Sequence, residues 1–235
     1  MLQTIILAAV GYLIGAVSFA RIVGAIVLPG TSLERTDMVL PGDNKSMEYT
    51  GVSATSVGAR LGSRWGMVVG VLDMLKGYVP VLATHLIWPG GSDHLVVAAA
   101  IIVGHNWPVF YGFKGGRGQS AVIGSLLAID WLAPLVCIPL GAAIGLLVFR
   151  DMFIAYYLGQ PLLIVWFAAF GRWPEAVYCL VWVVAMVIAS WPEMSEYFRR
   201  RRTGEINRMA SWRELLKAHP AMGSSRYTKP PKPPS

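Results

Sequence analysis

Gly104-His105-Asn106-Trp107-Pro108-Val109-Phe110-Tyr111-Gly112-Phe113-Lys114-Gly115-Gly116-Arg117-Gly118 is the stretch where an otherwise apolar chain changes character. An apolar run leads into it and another leaves it. Within it, Lys114 to Gly118 puts three glycines, a lysine and an arginine into five consecutive positions. Glycines let successive backbone N–H groups turn toward one point, and two fixed cations add charge there. That combination builds an anion cradle, with phosphate as the usual occupant.

The composition says where the cradle sits. Of the 235 residues, 55% are hydrophobic and only 14% are charged, whereas a soluble domain carries about 25% charge. Mean hydropathy is +0.54. These values indicate an all-α integral membrane protein. Cys137 and Cys179 lie inside apolar runs and read as packed small hydrophobes, not a disulfide or a metal pair. Leu2–Leu28 has no basic leader and is too long for a signal-peptide core, so it reads as a retained span.

Outward from the cradle, His94–Tyr111 is the span that delivers it. His105 near the inner end of that span reads either as a hydrogen-bonded structural residue or as a base. Upstream, Arg64–Trp88 is a second span, flanked by the interfacial anchors Trp65 and Trp88. It holds Asp73 and Lys76 one turn apart, where buried charge costs several kcal/mol unless paired or facing water, about the scale known for intramembrane ions. The pair reads as a mutual ion pair or as a support under the cradle. Between the first two spans, Thr31–Tyr49 reads as irregular, with a turn at Pro41-Gly42-Asp43-Asn44. Gly51–Gly62 reads as a short helix or re-entrant piece at the interface whose Ser53, Thr55 and Ser56 either donate hydroxyls to an anion or simply face the surface. Arg21 lies close enough to Pro29-Gly30 to snorkel.

Downstream come the apolar runs Gln119–Ile129, Trp131–Phe149, Phe153–Phe170 and Glu175–Trp191. The first is too short to cross unaided. The tail carries Arg199-Arg200-Arg201-Arg202 beside the last run, then ends in Lys229-Pro-Pro-Lys-Pro-Pro-Ser, a composition that stays disordered. Charge tests the topology. With about seven transmembrane helices and the N-terminus outside, seventeen of the twenty basic residues fall on the inner side and one, Arg172, on the outer. The positive-inside rule then places the cradle, the hydroxyl-rich helix and the C-terminus in the cytoplasm. The expected organisation is a polytopic membrane domain over 1–198, carrying the site, and a basic cytoplasmic tail over 199–235. The four arginines suit anionic lipid headgroups.

The residue types exclude several chemistries. No paired carboxylates stand at useful spacing in the inner loops. No Cys/His set has metal spacing. There is no Gly-x-Ser-x-Gly elbow, and Gly116-Arg117-Gly118 is not a P-loop ending. No internal repeat marks a transporter. No metal, cofactor or nucleic-acid partner is expected. A reaction at this loop would run by positioning and anion stabilisation on reactants already activated.

Gly104-His105-x-x-Pro108-Val109-Phe110-x-Gly112-Phe113-Lys114-Gly115-Gly116-Arg117-Gly118 resembles the second motif of the bacterial acyl-phosphate:glycerol-3-phosphate acyltransferases of the PlsY type. Leu72-Asp73-Met74-Leu75-Lys76-Gly77-Tyr78-Val79-Pro80 resembles the span after their first motif, and Gly15-Ala16-Val17-Ser18-Phe19 the end of their first helix. The likeness covers roughly residues 1–205. It implies a seven-helix membrane fold with a cytoplasmic site. It also implies acyl transfer from acyl phosphate to the 1-hydroxyl of glycerol 3-phosphate, releasing phosphate and lysophosphatidic acid without metal or acyl-CoA. It assigns Lys114 and Arg117, with Thr55, to catalysis. Gly115, Gly116 and Gly118 would hold phosphate, with His105 supporting them and Ser53, Ser56 and Arg60 contributing. Lysine usually stands where this chain has Arg117. The first half of the first motif falls on Glu48-Tyr49-Thr50-Gly51, after an insertion around Val39–Met47, so its serine and asparagine are missing. The histidine and asparagine of the third motif fall on Glu193 and Glu196, and Thr203-Gly204-Glu205 stands for its end. Two glutamates there should repel phosphate. The alternative is therefore a paralogue that binds acyl phosphate or phospholipid without turnover.

Overall fold

The computed structural model describes residues 1–30, 32–39 and 46–203. The expected turn at 41–44 and the tail beyond 203 lie outside them. Helix α1 (Leu2–Ala16) is followed by α2 (Phe19–Val27), then by strands β1 (Thr36–Val39) and β2 (Ser46–Tyr49). Helices α3 (Ala54–Leu61), α4 (Ser63–Ile87) and α5 (Asp93–Asn106) lead to a single 3-10 turn at Val109–Tyr111. Helices α6 (Gln119–Ile129), α7 (Leu132–Leu147), α8 (Met152–Tyr157), α9 (Gly159–Ala169), α10 (Trp173–Ala189) and α11 (Trp191–Arg202) complete the order.

Each apolar run of the sequence becomes helix. Among the described residues, three segments are long and apolar enough to cross a bilayer alone: Leu2–Val27, Ser63–Ile87 and Asp93–Tyr111. Helix α6, at 11 residues, reaches about 16 Å at 1.5 Å per residue, short of a hydrocarbon core of about 30 Å. Helices α10 and α11 form a pair bent by 68° at Ser190.

Leu2–Leu28 is not one continuous helix. It breaks at Val17-Ser18, where the Ser18 hydroxyl caps α2 by accepting from Arg21 N. The carbonyls freed at the break are satisfied by Lys76, whose Nζ donates to Gly15 O at 3.2 Å and Val17 O at 2.8 Å. A second difference is the segment expected to be irregular. Its ends pair as an antiparallel hairpin, Thr36 opposite Tyr49 and Val39 opposite Ser46.

Packing between apolar helices in lipid depends on close backbone approach at small residues. Helix α1 lies on α5, and α4 on α6. At Gly15 a side chain would overlap the Ile101 carbonyl, and at Gly104 the Tyr12 carbonyl. Gly77 against Ala121 and Gly124 against Met74 do the same for α4 and α6. The main buried cluster, including Ile101, Ile102, Leu126, Leu163, Phe167 and Trp182, fills the space among α4, α5, α6, α9 and α10. Cys137 and Cys179 are both free and buried. The glycine-rich loop thus leaves one rigid helix, α5, and enters another, α6, each pinned by a neighbour.

Candidate active site

The loop begins where α5 ends. The Tyr12 hydroxyl donates to the Trp107 carbonyl at 2.8 Å and ties that end to α1. After the 3-10 turn the backbone reverses through Gly112 and Phe113, both at positive φ. Phe113 N donates to Pro108 O at 3.0 Å, and Lys114 N to Tyr111 O at 3.2 Å. The chain then runs back across the α5 terminus. Gly116 N donates to His105 O at 3.1 Å, and the Gly115 carbonyl accepts from Val52 N at 3.0 Å.

The glycines therefore serve a purpose the sequence did not suggest. A side chain on Gly115 would overlap the His105 carbonyl, and one on Gly116 would overlap His105 Nε2. They let the loop lie directly on His105, and the Gly116 amide is engaged there, not offered to a ligand. The donors left for an anion come from the next element. Gly118, at φ +72°, is the N-cap of α6 and supplies no side-chain cap. The first-turn amides of α6 keep the partial positive charge and open N–H groups of a helix start.

His105 is buried beneath the loop with Nδ1 3.7 Å from Asp73 Oδ1. Asp73 in turn lies 2.9 Å from Lys76 Nζ. The mutual pair read from the sequence is present, and Asp73 lies beneath the glycine-rich loop through His105.

The two loop cations go separate ways. The Lys114 side chain is 69% exposed and lies 3.7 Å from Glu34. Its carbonyl accepts from Arg21 Nη2 at 2.9 Å, while Arg21 also contacts Glu34 at 3.3 Å and sits over the Tyr111 ring. Arg21 is thus a tether for the loop. Arg117 turns inward, its side chain 15% exposed, and pairs with Glu193. Its Nη2 donates to Thr50 Oγ1 at 3.1 Å, and its guanidinium lies 5.6 Å from the Tyr49 ring centre. Thr50 holds the same carboxylate, with N at 3.2 Å and Oγ1 at 2.9 Å from Glu193 Oε1. Burial pushes the Tyr49 phenol above its ordinary value, against the opposing pull of Arg117. It stays protonated, hydrogen-bonded to Ser53 Oγ at 3.0 Å.

The hydroxyl-rich helix contributes differently from expectation. Ser53 caps α3 by accepting from Thr55 N at 3.3 Å. Ser56, fully buried, accepts from Ser53 N at 3.0 Å and donates to Ser53 O at 2.9 Å. This reciprocal capping box engages two of the three hydroxyls read as possible anion donors, those of Ser53 and Ser56. Thr55 is exposed in the first turn of α3, and among the described residues no hydrogen bond joins its hydroxyl to Lys114 or Arg117. Arg60 binds the start of the hairpin instead, through Thr36 Oγ1 at 3.3 Å and the Arg35 carbonyl.

Glu193 reaches Arg117 because α11 is bent back and latched. Asp151 caps α8, accepting from Phe153 N at 2.9 Å and Ile154 N at 3.1 Å. The same carboxylate accepts from the Tyr197 hydroxyl at 2.7 and 2.8 Å and lies 3.1 Å from Arg201. The Tyr197 ring stacks on Phe153 at 4.3 Å. Glu196, one turn beyond Glu193, faces Arg199 and Arg200, whose hydrogen bonds hold its carboxyl down at about 2. Arg21 is the residue sequence reasoning did not link to the site, while Tyr49, Thr50 and Glu193 entered it only as departures from the resembled motifs, with no contact assigned to them. A charge inside an apolar run was the only signal for Arg21.

The glycerol-3-phosphate acyltransferase family model matches residues 5–200. The chain belongs to that family. A glycerol-3-phosphate acyltransferase of Halalkalibacterium halodurans is 30% identical over 210 residues, 86% of this chain and 94% of the relative. One from Neisseria meningitidis serogroup C is 38% identical over 134 residues, 55% of this chain and 60% of the relative. Among solved structures, the fold is shared with PlsY, described as an integral membrane glycerol 3-phosphate acyltransferase. Its lysophosphatidic acid form gives a TM-score of 0.71 and its glycerol 3-phosphate form 0.70. Each is 22% identical, covering 91% of this chain and 99% of the other. The family match spans every element from α1 to the first arginines of α11. The glycine-rich loop and the Glu193 contact are thus both inside it.

Proposed function

We propose that this chain transfers an acyl group from acyl phosphate to the 1-hydroxyl of glycerol 3-phosphate, giving lysophosphatidic acid and inorganic phosphate. Family membership supports the reaction class. The observation that carries the site is the inward guanidinium of Arg117 beside the uncapped start of α6. In the step, the hydroxyl oxygen attacks the acyl carbon and the bond from that carbon to the phosphate oxygen breaks. The leaving phosphate takes the electron pair and, in the end, the hydroxyl proton. Acyl phosphate is a mixed anhydride, so the chain's task is to orient both reactants and to stabilise the departing charge. Arg117 and the α6 amides would hold the phosphate, and His105 would fix the loop from below. Lys114 would meet the second anion from the exposed side after leaving Glu34.

The reading includes a topology. Seven crossings with the N-terminus outside, the site on the cytoplasmic side of a bacterial plasma membrane, and arginines of α11 on anionic lipid account for the distribution of basic residues. The test is to supply membranes containing the protein with acyl phosphate and glycerol 3-phosphate and to measure lysophosphatidic acid and phosphate. Product from acyl phosphate is expected, with none from acyl-CoA. Arg117→Ala should lower the rate by about 100-fold, the scale for losing one charge-stabilising donor. Equal rates for the two proteins would remove Arg117 from the reaction.

One observation favours a second reading. Arg117 already holds a carboxylate, as a site retired from catalysis would. On that reading acyl phosphate binds without release of phosphate, which the same assay distinguishes.

A further inference from the structure

Glu193, which the motif resemblance sets at the third-motif histidine position, is buried, with 5% of the residue exposed. Three donors converge on its Oε1: Arg117 Nη2, Thr50 N and Thr50 Oγ1. Its other oxygen, Oε2, and Arg117 Nε are both buried and have no hydrogen-bond partner among the described residues. The cation that should grip phosphate therefore faces an anion supplied by the protein itself, with one acceptor and one donor left over.

We infer that Glu193 is an internal competitor for the anion site, a carboxylate that sets how weakly Arg117 holds substrate and product phosphate. The inference rests on the phosphate-binding role proposed above for Arg117. A phosphate arriving at Arg117 has two options. It displaces Glu193, which leaves a buried carboxylate with Thr50 alone, or it binds through Nε or through Nη1 with a second anion on the same guanidinium. Either way binding is weaker than at a free arginine. The effect suits the chemistry. Both substrates and the released product carry the same group. An arginine fork at a helix start would keep inorganic phosphate as firmly as it takes up reactant. A neighbouring carboxylate shortens that stay.

The opposite role makes the opposite prediction. If Glu193 only orients Arg117, removing its charge loosens the guanidinium and weakens phosphate binding. The sign of one measurement therefore decides. Purified full-length protein would be titrated with inorganic phosphate by calorimetry, and the kcat and KM for acyl phosphate measured alongside. Glu193→Gln keeps an oxygen for Thr50 and Arg117 and removes the charge. The phosphate Kd should fall about tenfold, the scale of one close, partly screened charge. KM should fall with it and kcat should drop as phosphate release slows. A phosphate Kd unchanged or raised overturns the inference. Should Glu193→Gln not fold, Glu193→Asp keeps the charge but withdraws it by one methylene. Its phosphate Kd should fall about threefold for the same reason, and an unchanged or higher value again overturns the inference. Tighter phosphate binding by a variant of a wild type that makes no lysophosphatidic acid would sink the acyl-transfer reading and leave this one standing. Normal turnover with unaltered phosphate affinity would do the reverse.

Discussion

Gly116→Ala tests whether the glycines matter for packing or for free amides. A Cβ on Gly116 falls within 3.0 Å of His105 Nε2 and at 3.0 Å from the Val52 carbonyl oxygen. His105 cannot withdraw easily, because it is buried with Asp73 behind it and carries the loop's own hydrogen bond through its carbonyl. Ordinary contact at 3.4 Å or more requires the loop to rise by on the order of 1 Å, a displacement that costs about 100-fold in rate when it misplaces a catalytic group. The packing cost itself is about 1–3 kcal/mol, enough to lower stability without preventing assembly. The expected result is a folded protein with kcat down about 100-fold. The control is Gly70→Ala in α4, where the nearest atoms are Ala54 Cβ at 3.7 Å and Ser120 Oγ at 4.0 Å. That change should leave activity intact and raise stability by up to about 1 kcal/mol from helix propensity alone. Both would be measured as lysophosphatidic acid formation, with thermal unfolding in detergent. Gly116→Ala within threefold of wild type would refute the argument that the loop must lie on His105.

Arg21→Ala removes the hydrogen bond to the Lys114 carbonyl, worth about 1.5–3 kcal/mol for a charged donor. It should cut kcat about tenfold or more by the same conversion, with Arg21→Lys intermediate. Lys76→Met strips the buried Asp73 of its counter-ion and should cost about 3–5 kcal/mol in detergent unfolding. Adding Asp73→Asn should recover most of that loss. Glu196 titrates in the folded protein at about 2, below the ordinary 4.5. Because the folded value is depressed, its stabilisation is complete above 4.5 and is lost as pH falls toward 2. The stability gap between wild type and Glu196→Gln should therefore be constant between pH 6 and 8, under about 1 kcal/mol for so exposed a pair, and should close as pH falls toward 2.

Much of the frame was legible. Hydropathy located each apolar run, and the spacing of Asp73 and Lys76 announced a pair. What hydropathy cannot show is a break inside an apolar run. The interruption at Val17-Ser18 depends on Lys76, 59 residues away, to satisfy Val17 O. A capping box was written in Ser53 and Ser56, and it competes for the very hydroxyls that looked free. The hairpin escaped because strands of four residues carry too little alternation to stand out. The opposite aims of Lys114 and Arg117 depend on two left-handed residues, Gly112 and Phe113. Spacing along the chain says nothing of that.

The departures from the resembled motifs form one arrangement, not three separate losses. An arginine stands in place of the lysine, a threonine within the altered first motif, and a glutamate at the histidine position of the third. In space Thr50 bonds both of the others, and Arg117 bonds Glu193. An ammonium is a compact point charge, whereas a guanidinium offers a planar fork that needs several acceptors. Arginine at 117 therefore calls for a carboxylate and a hydroxyl within reach. The segment after the hairpin and the bent start of α11 supply them. Asp151 secures the second half of that supply by holding Tyr197 and Arg201 of α11. The latch at Asp151, the bend at Ser190 and the residue at 117 thus act on the same quantity, the net charge left at the mouth of α6.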